Sequence, residues 1–306
     1  VNKLSGISQN ISTKIDDEYI RHFQTFDQVW VPTKWQRDCF VNQGITPNKI
    51  FVIPEAVDPI FEPATRSDNV TIPTEYNDNR FKFVVFGRWD YRKSIHEIIM
   101  AFLDTFDKNE PVDLVLSVDN PYSVDGLNST EDRLKHYGLE DPRIHVKHFV
   151  SREEYIQYMQ LGNCFVSCAR GEGWNIPLIE AMACGIPAIY SNWGGQLEFA
   201  EGKGFPVKIT GMSPASNGQN LSFAGNIPGE YCEPDFDDLG KQMKYVYQNY
   251  LECRKKSLDE SELIRKEFTW RNAALKAKPF IDALQASTRV VAEGLTENRQ
   301  GLYFHA

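Results

Sequence analysis

Residues 81–102 read FKFVVFGRWDYRKSIHEIIMAF, and this stretch decides the fold. Its first six residues carry aromatic and β-branched side chains, which favour a strand. Gly87 then permits a sharp exit from that strand. Beyond the turn, Ile95, Ile98, Ile99 and Phe102, with Phe106 just downstream, recur at helical spacing and give one apolar face. Strand, polar turn and amphipathic helix follow one another without a gap.

The same period repeats downstream. Strands are expected at 112–118, 144–149, 163–167, 187–191 and 205–209. Helices are expected at 131–137, 153–161 and 176–184, the last ended by Gly185, with a short helix at 195–200. Strands alternating with helices at this spacing imply an α/β fold with a Rossmann-like, doubly wound parallel sheet of about six strands. Residues 78–268 form that domain. Upstream, residues 28–32 (QVWVP) read as a strand. Thr33 reads as an N-cap, with Gln36 completing a capping box. Gly44 is a C-cap, and residues 50–53 are a second strand. This is too little for another domain of the same kind. Pro54, Pro59, Pro63 and Pro73, with the polar run 75–80, read as a linker. Residues 1–77 are thus a remnant plus linker. Residues 211–234 read as a long polar loop. Beyond 236 the chain is helical to about 287, and residues 269–306 are a crossover helix with a patternless tail.

The 306 residues are 42% hydrophobic and 25% charged, an ordinary globular composition. A net charge of −9 weighs against nucleic acid as a partner, because phosphate-backbone binding needs a basic face. No apolar run of about 18 residues is present to span a membrane. The start, VNKLSGISQN, has no apolar h-region and no Met, so the chain is expected to begin inside a longer gene product. The six cysteines are scattered, and Cys164 and Cys168 flank a strand-like FVS rather than a zinc knuckle. They read as reduced, buried thiols of a cytoplasmic protein.

In a doubly wound sheet, ligands bind outside the carboxyl ends of the strands. Two strand ends here are rich in polar groups. The first is residues 87–93, GRWDYRK. Arg88 and Lys93 flank the turn into the next helix, where fixed cations suit a phosphate. The same residues also suit a solvated basic turn, with Arg92 the first to be assigned to solvent. The second is residues 169–180, ARGEGWNIPLIE. Gly171 and Gly173 allow a close backbone approach. Asn175 reads as an N-cap, Pro177 fits the first turn, and free N–H groups at Asn175 and Ile176 make an anion site. Glu172 and Glu180 bracket that site. They suit a ligand with hydroxyls on either side of its phosphates; alternatively, Glu172 is a surface acid and Glu180 a helix-dipole partner. His22, His96, His145 and His148 read as surface or packing residues.

Residues 172–189, EGWNIPLIEAMACGIPAI, resemble the signature of the retaining glycosyltransferases of family four (glycosyl transferases group 1), which have the GT-B fold. Glu172 and Glu180 match its two glutamates. Residues 83–102 are similar to the element that opens the family's donor domain, with Ser94 in place of the usual Gly after the Lys. Residues 27–59, 148–173 and 268–277 resemble further parts of the family. The resemblance implies that Arg88 and Lys93 hold the donor diphosphate and stabilise it as it leaves. Glu172 would contact the sugar, and Glu180 the ribose. Backbone N–H groups at Asn175 and Ile176 would hold the phosphates. Phe149 and Val150 would face the base, with Gly87, Gly173 and Trp174 lining the pocket. No metal or other cofactor is implied.

The partners implied are a nucleotide sugar and an acceptor that is a glycan, a lipid-linked sugar or a small molecule. Peripheral membrane contact would come through the missing N-terminal domain. That domain's Gly-rich loop and acceptor residues are not found. The alternative is therefore a non-catalytic sugar-nucleotide-binding module, or a fragment lacking the acceptor domain. A GT-B epimerase would carry catalytic acids and a His in the cleft, which are not seen.

Overall fold

The computed structural model describes residues 5–7, 11–64, 79–120, 126–148, 151–215 and 228–301. The N-terminal part comprises β1 (Ser5–Ile7), α1 (Asp17–Thr25), β2 (Gln28–Val31), α2 (Lys34–Asn42) and β3 (Ile50–Val52). Its strands form a parallel sheet in the order β1-β2-β3, one strand more than the periodicity predicts. Ile20, Phe23, Val29, Val31, Phe40 and Ile50 make its core. Thr33 Oγ1 caps α2 by accepting the Gln36 N–H at 3.1 Å.

A larger unit follows: β4 (Phe81–Phe86), α3 (Ile95–Thr105), β5 (Val112–Ser117), α4 (Thr130–His136), β6 (Ile144–Val146), α5 (Arg152–Leu161), β7 (Cys164–Ser167), α6 (Ile176–Ala183), β8 (Ala188–Ser191), α7 (Leu197–Ala200) and β9 (Phe205–Val207). The six strands form one sheet in the order β6-β5-β4-β7-β8-β9, and each neighbouring pair is parallel. Successive residues of β4 feed opposite layers. Phe83 and Val85 join Ile98, Ile99 and Phe102 on one face. Val84 and Phe86 join Leu178, Ile179 and Met182 on the other. This two-sided burial explains why β4 reads as a nearly continuous apolar run. A Phe83→Ala change would cost about 3–5 kcal/mol through the cavity it leaves.

The remaining elements are β10 (Ile209–Pro214), β11 (Glu230–Pro234), α8 (Phe236–Gln248), α9 (Tyr250–Glu267) and α10 (Trp270–Gly301). Two expectations are corrected here. Residues 209–214 and 230–234, at the ends of the expected polar loop, are antiparallel partners. Thr210, Gly211 and Met212 of β10 are exposed, so no alternating apolar pattern marks the strand. The expected patternless tail is helical as far as Gly301. α10 returns to the N-terminal sheet, where Phe280 meets Phe51 with ring centroids 4.0 Å apart and its carbonyl accepts from Gln28 Nε2 at 3.1 Å.

The chain leaves β4 toward β5 and β6 on one side, and leaves β7 toward β8 and β9 on the other. The crevice at the carboxyl ends of β4 and β7 is therefore the topological switch point, where open α/β sheets bind ligands.

Candidate functional site

The loop after β4 runs beside β5: Gly87 N–H donates to Ser117 O at 3.0 Å and Trp89 N–H to Val118 O at 2.7 Å. Gly87 has φ +153°, open to glycine at little cost. Asp90 then caps a 3₁₀ turn, Tyr91–Lys93, its Oδ1 accepting the Lys93 N–H at 2.9 Å. Ser94 ends the turn in the left-handed region, φ +55°. A serine there carries a strain of about 1 kcal/mol that glycine avoids, which gives a physical reason for a glycine at this position.

The loop after β7 supplies Glu172, whose residue exposure is 6%. Its Oε1 is ion-paired with Arg92 Nη1 at 3.0 Å and with Lys93 Nζ. Burial by itself raises the Glu172 carboxyl, but Lys93 and Arg92 together hold it below its ordinary range. Arg92 loses stability as a cation through burial, yet Glu172 more than restores it. Two expectations change. Arg92 is not a solvent residue; its side chain is 11% exposed, the same as Lys93, and it also donates to Gly171 O at 2.7 Å. Arg88 does not join this pair; its Nε donates to Asp90 Oδ2 at 2.9 Å. Lys93 folds back so that a Cβ on Gly87 would sit 3.7 Å from its Cε.

Asn175 is not a side-chain N-cap. It adopts φ +76° and makes no capping bond to α6. Its Nδ2 donates instead to Ser167 Oγ at 3.0 Å and to Gln196 Oε1 at 2.7 Å, tying the loop to the ends of β7 and β8. The Trp174 side chain does not line the crevice. It is 1% exposed and packs on Phe199 at 5.0 Å and Phe268 at 5.8 Å between ring centroids. Ile176, at 49%, is exposed at the helix start. Glu180 is buried, and the Tyr155 hydroxyl donates to its Oε2 at 2.6 Å. Burial pushes its carboxyl up from 4.5 to about 7. Phe149 and Val150 lie outside the described residues. Of the histidines, His148 is half exposed between Asp119 Oδ2 at 2.9 Å and Glu131 Oε1 at 3.2 Å.

Two supports were not read from the sequence. The turn after β8 buttresses the Glu172 loop: Gly195 N–H donates to Glu172 O at 2.8 Å. A Cβ on Gly195 would fall 1.9 Å from Gly173 O, so only glycine fits. The pair Gly194-Gly195 was the available signal. The second support is Arg170, buried between Glu97 Oε1 at 2.8 Å and Glu233 Oε2 at 3.1 Å. Its Nη1 also donates to Tyr91 O and Ser94 Oγ, both at 2.9 Å, which fixes the turn that carries Arg92 and Lys93. The N-terminal unit touches this region too. Trp35 meets Trp193 edge-on at 4.9 Å, and Lys34 N–H donates to Glu198 Oε2 at 2.8 Å.

Residues 70–210 match the profile of the glycosyl transferases group 1 family. The chain carries a domain of this family. The group 1 domain thus includes both switch-point loops. Among curated proteins, the chain is 22% identical over 241 residues to the phosphatidylinositol N-acetylglucosaminyltransferase gpi3 subunit of Schizosaccharomyces pombe, covering 78% of this chain and 45% of that protein. It is 24% identical over 231 residues to the corresponding Arabidopsis thaliana protein, also named for phosphatidylinositol N-acetylglucosaminyltransferase, covering 72% and 48%. The chain spans about half the length of these relatives. Among solved structures, it resembles Anabaena HepE in complex with UDP-glucose, with a TM-score of 0.69 and 16% identity over 93% of this chain and 72% of that one. It also resembles sucrose-phosphate synthase from Thermosynechococcus elongatus, with a TM-score of 0.65 and 20% identity over 89% and 63%. The fold is that of GT-B glycosyltransferases. Among the described residues, no cluster of three or more His, Cys, Asp or Glu could hold a metal ion, and no helix is long and apolar enough to cross a membrane. All six cysteines are free and buried.

Proposed function

We propose that the group 1 domain binds a nucleoside diphosphate sugar at the switch point, and that the protein transfers the sugar to an acceptor with retention of configuration. The observation that carries this reading is the buried Glu172 held between Arg92 and Lys93 at the meeting of the two loops. Two roles follow for these groups. Lys93 and Arg92, with Arg88 on the same turn, offer positive charge to a diphosphate. The uncapped start of α6 adds its dipole. Glu172 is a carboxylate kept ionised by two cations, so it is a weak base and a poor candidate for proton abstraction. It suits hydrogen bonds to sugar hydroxyls.

The chemistry this arrangement supports is stabilisation of a leaving group. The bond from the anomeric carbon to the diphosphate oxygen breaks. The acceptor hydroxyl oxygen attacks that carbon on the same face, and its proton passes to the departing phosphate oxygen. No carboxylate pair of the hydrolase kind is required, and the cations take the place of a metal. Glu180, deeper along α6, is assigned to the ribose. UDP-glucose in the HepE structure makes UDP-sugars the first donors to try. The acceptor is a glycan, a lipid-linked sugar or a small molecule; the phosphatidylinositol in the names of the curated relatives favours a lipid-linked one.

The test is release of nucleoside diphosphate from a panel of sugar nucleotides, with and without candidate acceptors, in the presence of EDTA. Acceptor-dependent release that EDTA leaves unchanged supports the proposal. Strict dependence on a divalent metal contradicts it. Binding without any release supports the second reading, a sugar-nucleotide-binding module, which the chain's span of about half its relatives keeps in view.

A further inference from the structure

The hairpin strand β11 brings a residue to the Glu172 loop that no motif marks. Cys232 N–H donates to Arg170 O at 3.0 Å. Glu233 accepts from Tyr91 Oη at 3.1 Å and from Arg170 Nε at 3.1 Å. β11 is thereby locked to both switch-point loops. Tyr231, beside these two anchors, lays its ring against Gly171, where an added Cβ would meet Cδ1 at 2.8 Å and Cε1 at 2.9 Å. The side chain is 0% exposed. Its hydroxyl has no hydrogen-bond partner among the described residues.

A buried hydroxyl without an acceptor costs stability, and native structures rarely keep one without reason. The carboxylates nearby do not relieve it, since Asp90 is taken by Arg88 and the Lys93 N–H, and Glu172 by Arg92 and Lys93. What the surroundings lack is a further acceptor, and the cations on the β4 loop favour an anionic one. We propose that Tyr231 is a further donor-binding residue, whose hydroxyl donates a hydrogen bond to a phosphate oxygen of the bound nucleoside diphosphate. The inference rests on the reading of the site given above. Burial, the largest cause, pushes the Tyr231 phenol up to about 12, so it stays protonated and able to donate at neutral pH. Arg92, Asp90, Glu172 and Arg88 are its charged neighbours.

Tyr231→Phe keeps the ring on Gly171 and removes only the hydroxyl. The experiment is thermal melting without ligand, and calorimetry with UDP, GDP and ADP, on wild type and variant. The expected result is a melting temperature equal to or above wild type, with affinity for the nucleotide that wild type binds weakened by about tenfold, as for a hydrogen bond to a charged group. An unchanged affinity overturns the role of Tyr231 and leaves the site reading standing. A wild-type chain that binds none of the three overturns the site reading, and this inference with it.

Discussion

Lys93 and Glu172 come from the ends of two neighbouring strands, β4 and β7, and meet as a buried ion pair that Arg92 shares. In the absence of ligand, the site balances its own charge. A diphosphate entering there would compete with Glu172 for the cations, or share them. Breaking such a buried pair by removing one partner leaves a desolvated charge, typically at a cost of about 3–5 kcal/mol.

Glu172→Ala is therefore expected to destabilise the free protein by about 3–5 kcal/mol. Adding Arg92→Ala is expected to recover part of the loss, because the orphaned cation goes too. Urea unfolding of the two single variants and the double variant measures this. Sugar transfer is expected to be lost in Glu172→Ala while nucleoside diphosphate binding persists, since the cations remain. Equal loss of both contradicts a role for Glu172 at the sugar.

Glu180 gives a pH signature. Its carboxyl is raised from 4.5 to about 7 by burial, so the folded state holds the proton longer than the unfolded chain. The stability this represents is complete below about 4.5 and is lost as pH rises through about 7. Glu180→Gln keeps an acceptor for Tyr155 and removes the titration. The variant is expected to match wild type at pH 4 and to exceed it above pH 7 by on the order of 3 kcal/mol. Denaturation across that range measures the gap; a constant difference at all pH values contradicts the assignment.

Glycine substitutions separate steric need from conformational freedom. Gly195→Ala places a methyl 1.9 Å from Gly173 O, so the Glu172 loop must move, and nucleoside diphosphate binding is expected to fall along with stability. Gly211→Ala, with nothing within 4 Å of the new methyl, is expected to leave both within about 0.5 kcal/mol of wild type. Melting and calorimetry on the two variants decide it, and similar behaviour of both contradicts the buttress.

The double-wound sheet was legible because β4 and its helix carry strong and different periods, and because Gly185 marks the end of α6. The two strand-end loops were legible as polar clusters at such ends. Their wiring was not. Arg92 lies next to Lys93 in a basic turn and looks solvated; only the approach of Glu172 from β7 turns it inward. Trp174 sits in the signature yet belongs to the core, because its direction depends on Phe199 and Phe268. The hairpin carrying Tyr231 escaped notice because β10 is exposed and polar, and its partner lies beyond a long intervening segment. Long-range pairing leaves little trace in local composition.

The central claim is that Lys93 meets a diphosphate at the switch point. Calorimetric titration of wild type and Lys93→Ala with UDP, GDP and ADP tests it most directly. The account predicts that wild type binds at least one of them and that the variant binds it more weakly by about 1–3 kcal/mol, as for a charged hydrogen bond. Equal binding by both proteins would contradict the account and leave residues 87–93 as a turn at the sheet edge.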